Sequence, residues 1–98
     1  MIRGFADRDT ERLFHREWAR RWGPGLQRAA LQTLMTLDAA TTLEDLRRVP
    51  GNHLEKLRGS RAGQWSIRVN AQWRVCFRWA PDGPHDVEIA DYHGGRRR

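Results

Sequence analysis

Hydrophobic periodicity changes once along this chain, from about four residues in the first half to two in the second. That switch constrains the fold more than any other feature. Phe14, Trp18 and Trp22 recur at four-residue spacing with Leu13 beside them, which predicts an amphipathic helix. Asp7, Asp9 and Glu11 suit its first turn, near the positive end of the helix dipole. Gly23-Pro24-Gly25 ends this helix and opens another, because proline is accepted at the first helical position but not in the interior. In the second helix Leu26, Ala30, Leu34 and Leu37 share a face that Leu31 and Met35 widen. Ile2–Phe5 reads as a short opening strand. Thr42 caps a helical turn over Leu43-Glu44-Asp45-Leu46, which Pro50-Gly51-Asn52 stops.

Alternation then takes over. His53–Arg58 reads as a strand closed by Gly59-Ser60-Arg61-Ala62-Gly63. Gln64–Val69, Gln72–Trp79 and the stretch holding Val87 and Ile89 follow, separated by Asn70-Ala71 and Pro81-Asp82-Gly83-Pro84. Turns this short require antiparallel neighbours. The expected architecture is a single α+β domain. It has an N-terminal strand, a helical hairpin, and an antiparallel meander of about four strands with the helices on one face.

Period-two alternation divides the sheet residues. Trp65, Ile67, Val69, Trp73, Val75, Phe77, Trp79, Val87 and Ile89 go to the helices, and the core is expected at Phe14, Trp18, Leu26, Ala30, Leu34, Leu37, Ile67, Val69, Val75, Phe77, Val87 and Ile89. The opposite, open face receives Ser66, Arg68, Arg74, Arg78, Glu88 and Tyr92. Three arginines on adjacent strands repel one another unless something anionic lies between them, although Glu88 and Glu55 offer partial pairing. Lys56, Arg58 and His53 border this row on the preceding strand. The net charge is +6, from 18 basic and 12 acidic residues, and only Lys56 among the basic ones is lysine. Such a surface favours a polyanion, and arginine forks suit phosphates.

The last strand carries Asp91, Tyr92 and His93 to its own end, ahead of Gly94-Gly95-Arg96-Arg97-Arg98. Strand ends hold polar groups in fixed geometry while leaving them open to substrate. Proton-handling side chains beside a cationic face point to chemistry on a phosphate backbone. A base removes the ribose 2′-hydroxyl proton, an acid protonates the departing 5′-oxygen, and cations stabilise charge on the phosphoryl oxygens. His93 titrates near neutrality unperturbed. Tyr92 serves as a base if cationic neighbours lower its pKa, and otherwise as a donor and base stacker. Arg74, Arg68 and Lys56 are the charge stabilisers.

Other chemistries find little support. His15, His53, His85 and His93 are scattered without metal-ligand spacing, so neither a metal nor a cofactor is expected. Cys76 is the single cysteine, which rules out an internal disulfide, and its mid-strand place reads as packing. No apolar run approaches the roughly 20 residues that span a bilayer, so a cytoplasmic protein with no membrane partner is expected. A non-catalytic module that binds RNA without cutting it is the alternative.

Several runs together resemble a known family. They are Leu37-Asp38-Ala39-Ala40-Thr41-Thr42-Leu43-Glu44-Asp45-Leu46, Pro50-Gly51-Asn52-His53-Leu54-Glu55-Lys56-Leu57-Arg58-Gly59, Gly63-Gln64-Trp65-Ser66-Ile67-Arg68-Val69-Asn70, Gln72-Trp73-Arg74-Val75-Cys76-Phe77-Arg78-Trp79, and Asp86-Val87-Glu88-Ile89 with Asp91-Tyr92-His93. In this order they resemble the HigB-type toxins, or plasmid-maintenance killer proteins, of the RelE superfamily of type II toxin–antitoxin systems. The resemblance runs from Ile2 to His93. It implies a RelE-like domain over residues 1–93; residues 94–98 lie outside the resemblance and are expected to be a disordered basic tail. It further implies a ribosome-dependent mRNA endonuclease that halts translation. The implied partner is a helix-turn-helix antitoxin of the HigA type, through which the toxin reaches operator DNA indirectly. Asp91, Tyr92 and His93 match the family's catalytic segment, and Arg74 matches its strand arginine near the scissile phosphate. Some members carry a histidine two residues before the Leu-Lys-Gly step. Glu55 stands there in this chain, with His53 two residues earlier, and the resemblance does not decide between them.

Overall fold

The computed structural model describes residues 1–92. His93 and the 94–98 segment, with the expectations placed on them, lie outside the described residues. Three helices, α1 (Arg8–Phe14), α2 (Pro24–Ala39) and α3 (Leu43–Arg47), precede four strands, β1 (Glu55–Lys56), β2 (Trp65–Arg68), β3 (Trp73–Ala80) and β4 (Gly83–Asp91). The strands form one antiparallel sheet in the order β1-β2-β3-β4. This is the expected α+β meander. No helix among the described residues is long and apolar enough to cross a membrane.

The first helix is half as long as its apolar stripe predicts. Arg16 takes a left-handed conformation with φ 64°. Glu17 N–H donates to the Arg12 carbonyl at 2.8 Å and Arg16 N–H to that of Leu13 at 2.9 Å, the paired bonds of a Schellman stop. Glycine usually fills this left-handed position, so an arginine there gives no sequence warning. The chain beyond it is irregular. Gln27, buried on α2, accepts from the Ala19 N–H at 3.1 Å and donates to the Trp22 carbonyl at 2.9 Å. Those bonds satisfy backbone groups that a helix would have paired internally. Trp22 and Ala19 are buried in consequence, whereas Trp18, expected in the core, is 62% exposed. Met35 is likewise exposed, and Arg16 donates to its sulfur at 3.6 Å.

Elsewhere the helical cues hold. Asp7 caps α1 through the Thr10 N–H, Pro24 starts α2, and Thr42 and Asp45 form a reciprocal capping box at α3. Asp45 accepts from the backbone and hydroxyl of Thr41 and from the Thr42 N–H, which hold its carboxyl below the usual range. The opening segment runs beside β4 without becoming a strand. It makes one parallel bridge, Phe5 with Val87, and a few backbone bonds. At Gly83 (φ 126°) a Cβ would come within 2.6 Å of the Met1 carbonyl oxygen, so glycine permits the two chain segments to meet.

The core lies between the helices and one sheet face. Ala30, Leu34 and Leu37 of α2 pack with Ile67, Val75, Phe77, Val87 and Ile89, while Phe14, Leu26, Val69 and Trp73 are only partly buried. Thr10 joins the layers by accepting from the Ile89 N–H at 3.1 Å. Phe77 is fully buried, so Phe77→Ala should cost about 3–5 kcal/mol. A denaturant melt reads this directly, and an unchanged midpoint would contradict its core position. One irregularity interrupts the sheet. Cys76 faces Glu88 but Arg78 faces His85, so β4 holds one extra residue. Asp86 supplies the left-handed step with φ 52°. This is a β-bulge.

Candidate active site

Strand register builds the open face row by row. Glu55, Ser66, Cys76 and Glu88 stand across the four strands, and the next row holds Arg68, Arg74 and Ala90. Leu57, Cys76 and Ala90 form a small second apolar cluster against which Tyr92 packs. Beside it opens a cleft of about 360 Å³, lined by His53, Glu55, Arg68, Asn70, Ala71, Arg74 and Tyr92.

Arg74 is the best-held side chain of the cleft and only 9% exposed. Its Nε donates to Ser66 Oγ at 2.6 Å, and its Nη2 donates to the His53 carbonyl and, at 3.4 Å, to the Ser66 carbonyl. Glu55 brings a carboxylate oxygen to 4.0 Å. Nη1 has no hydrogen bond to the described residues. The guanidinium is therefore oriented along one edge by the protein, leaving Nη1 for an anion. The His53 carbonyl reaches Arg74 because His53 is left-handed, with φ 46° and ψ 54°, at the end of the Pro50–Asn52 turn. Such a conformation costs roughly 1–2 kcal/mol for a residue with a Cβ. His53 and Glu55 thus both reach the cleft. His53 supports Arg74 through its backbone, Glu55 through its charge.

Arg68 lies directly opposite Arg74. It is exposed and has no partner among the described residues. Two adjacent cations over a cleft attract an anion. The expected three-arginine row is shorter than that. Arg78 lies four residues along β3 from Arg74, about 13 Å at strand rise, and pairs with Asp86 at 3.4 Å. Glu88 pairs with Arg61 at 3.1 Å. Lys56 faces Trp65 across β1 and β2, with its Nζ 5.9 Å from that ring. This places it on the helix side, and Arg58 does not line the cleft.

The Asp-Tyr-His stretch also divides. Asp91 pairs with Trp73 on the helix-facing parity and accepts from Gln72 Nε2 at 3.2 Å. Tyr92 turns into the cleft while its N–H donates to the Gln72 carbonyl. The two neighbours thus leave the strand end on different sides, Asp91 beside Trp73 and Tyr92 in the cleft. Burial lifts the Tyr92 phenol above its ordinary pKa, with Cys76 and Glu55 adding to the rise and Arg61 and Arg74 opposing it. Desolvation outweighs the cationic neighbours, contrary to the lowering that makes tyrosine a base. Tyr92 stays protonated at neutral pH and offers a donor and a stacking ring. Burial also pushes the Cys76 thiol up to about 11, so it is no nucleophile. Among the described residues no three His, Cys, Asp or Glu side chains group as metal ligands.

A basic, phenol-bearing cleft at the end of a four-stranded meander agrees with the match of residues 3–93 to the RelE-like toxins of type II toxin–antitoxin systems, HigB type. The chain belongs to this family. Toxin HigB-1 of Vibrio cholerae serotype O1 is 40% identical over 76 residues, which cover 76% of this chain and 80% of that protein. Endoribonuclease HigB of Proteus vulgaris is 37% identical over 60 residues, covering 61% of this chain and 64% of the relative. Within this HigB-like domain, sequence reading missed the roles of Ser66 and Gln72. Asn70, read as part of a tight turn, fills that place. Its side chain accepts from the Gln72 and Trp73 N–H groups at 2.9 and 2.8 Å, as asparagine does at tight turns.

Proposed function

We propose that this HigB-like toxin is an endoribonuclease that cuts messenger RNA on the ribosome and so halts translation. The observation that carries the reading is the fixed Arg74 guanidinium, with Nη1 unbonded, set beside Arg68 and Tyr92 in one cleft. Arg68 and Arg74 neutralise the scissile phosphate and the charge that grows on its oxygens. Tyr92 stacks on a neighbouring base and donates a hydrogen bond. The ribose 2′-oxygen attacks the adjacent phosphorus, forming the O2′–P bond and breaking the P–O5′ bond. The 2′ proton passes to a base and the leaving O5′ takes one from an acid. His93, the next residue after Tyr92, is the proton carrier in this scheme. The products are a 2′,3′-cyclic phosphate and a 5′-hydroxyl.

A helix-turn-helix antitoxin neutralises the toxin in the cytoplasm and brings it indirectly to operator DNA. Residues 1–93 act as one domain, and the arginines of 94–98 add to its hold on RNA. The test is a reconstituted initiation complex compared with the same message free of ribosomes. Wild-type protein should cut only the ribosome-bound message, and Tyr92→Phe should lower the rate by less than about tenfold, since the ring and its stacking remain. Stalled ribosomes carrying intact message would instead mean inhibition by occupancy.

A further inference from the structure

A second recess lies on the helical layer and shares no lining residue with the catalytic cleft. Leu13, Leu31 and Pro24 give it an aliphatic floor, Trp18 forms a wall, and Arg16 and Arg28 stand at its edge, within a volume of about 270 Å³. It owes its shape to the early end of α1. The left-handed Arg16 turns the chain so that Trp18 stands outward beside α2, 62% exposed. A tryptophan left in water beside aliphatic carbon forgoes a large apolar burial.

We propose that this groove docks an acidic amphipathic segment of the antitoxin, anchored by one bulky apolar side chain between Trp18 and Leu31. Membership in a toxin–antitoxin family requires a protein partner, and three features match the groove to one. The aliphatic floor accepts a leucine or phenylalanine, and the one amide in the lining, Gln27, is already committed to the Ala19 N–H and the Trp22 carbonyl rather than left to read a nucleotide base. Trp and Arg together are the residue types that dominate binding energy at protein interfaces. The edge charge is also uncompensated. Arg16 donates to the Phe14 carbonyl and the Met35 sulfur, and neither Arg16 nor Arg28 meets a carboxylate among the described residues. Glu17 is the sole acid in the lining. With a net charge of +6, the toxin would attract an acidic segment and orient it across this edge.

The decisive measurement is titration of purified cognate antitoxin into wild-type toxin, Trp18→Ala and Arg28→Glu. Both substituted side chains are exposed, so thermal melts should match wild type, and message cleavage by the free toxin should be unchanged. Each substitution should weaken antitoxin binding by about tenfold or more. The Arg28→Glu loss should shrink in high salt while the Trp18→Ala loss persists, because screening acts on exposed charge and not on apolar contact. Unchanged antitoxin affinity in both variants overturns the proposal. Loss of ribosome binding with antitoxin affinity intact would assign the groove to RNA, and loss of self-association alone would assign it to a second copy of this chain. Either result also overturns it. Failure of wild-type toxin to cut RNA would refute the nuclease reading and leave this result standing.

Discussion

A ribosome-bound message with one 2′-deoxyribose at the cut position should remain intact at toxin concentrations that consume its all-ribose counterpart. The cleft supplies cations and a protonated phenol, but the described residues bring no activated nucleophile to it. Burial raises the Cys76 thiol to about 11, and the Tyr92 phenol is raised as well. In the proposed mechanism the attacking oxygen is the substrate's own 2′-hydroxyl. Removing that oxygen removes the reaction and not merely an interaction, so the expected loss is complete within the assay. Binding should be nearly unaffected, because the phosphates and bases are retained. Efficient cutting of the deoxy-substituted message would require an attacking water, and the proposed mechanism would have to be abandoned.

Arg74→Ala should reduce single-turnover cleavage by about 10²–10³-fold, the usual cost of losing one preorganised donor to a developing oxyanion. Arg78→Ala should stay within a few-fold of wild type. The contrast follows from placement, since Arg74 is fixed beneath the cleft while Arg78 pairs with Asp86 about 13 Å away along the strand. Ser66→Ala should fall between them, near tenfold, because Nε loses its partner while Nη2 keeps two carbonyls. If Ser66 acts only by orienting Arg74, its removal should cost nothing further in the Arg74→Ala background. Equal losses for Arg74→Ala and Arg78→Ala would indicate diffuse electrostatic attraction, and the localised role would be lost.

The sheet was legible because alternation is strict from Trp65 to Phe77 and each apolar residue on that parity had a helix to meet. The helix starts at Pro24 and after Thr42 were legible from local residue chemistry, whereas Asp7, read as part of the first turn, is the residue that caps α1. Trp18 was not legible. Its spacing continues the helical stripe, and only the unusual left-handed Arg16 shows that the helix has ended. Arg74 stood out as an open-face arginine, yet its burial depends on Ser66 from β2 and a carbonyl from the Pro50 turn. Those partners are eight and 21 residues away in sequence, and neither contact leaves a periodic trace. The placement of Asp91 and Tyr92 was not legible either: Asp91 pairs with Trp73 on the helix-facing parity, while Tyr92, just past the strand, lines the cleft.

The bulge at Asp86 sets the phase of everything after it. Were β4 to continue from the His85–Arg78 pairing without the bulge, Val87 would face the Cys76 side and Ile89 the Arg74 side. Asp91 would then look into the cleft while Tyr92 entered the helical layer. A single inserted step thus chooses which of two adjacent side chains, a carboxylate or a phenol, meets the substrate, and it does so some six residues upstream of either. The backbone conformation at this point is therefore as much a determinant of the site as any residue lining it. Deleting the extra residue would restore regular pairing and leave Tyr92 in the cleft, whereas keeping it in unbulged pairing would bring Asp91 there instead.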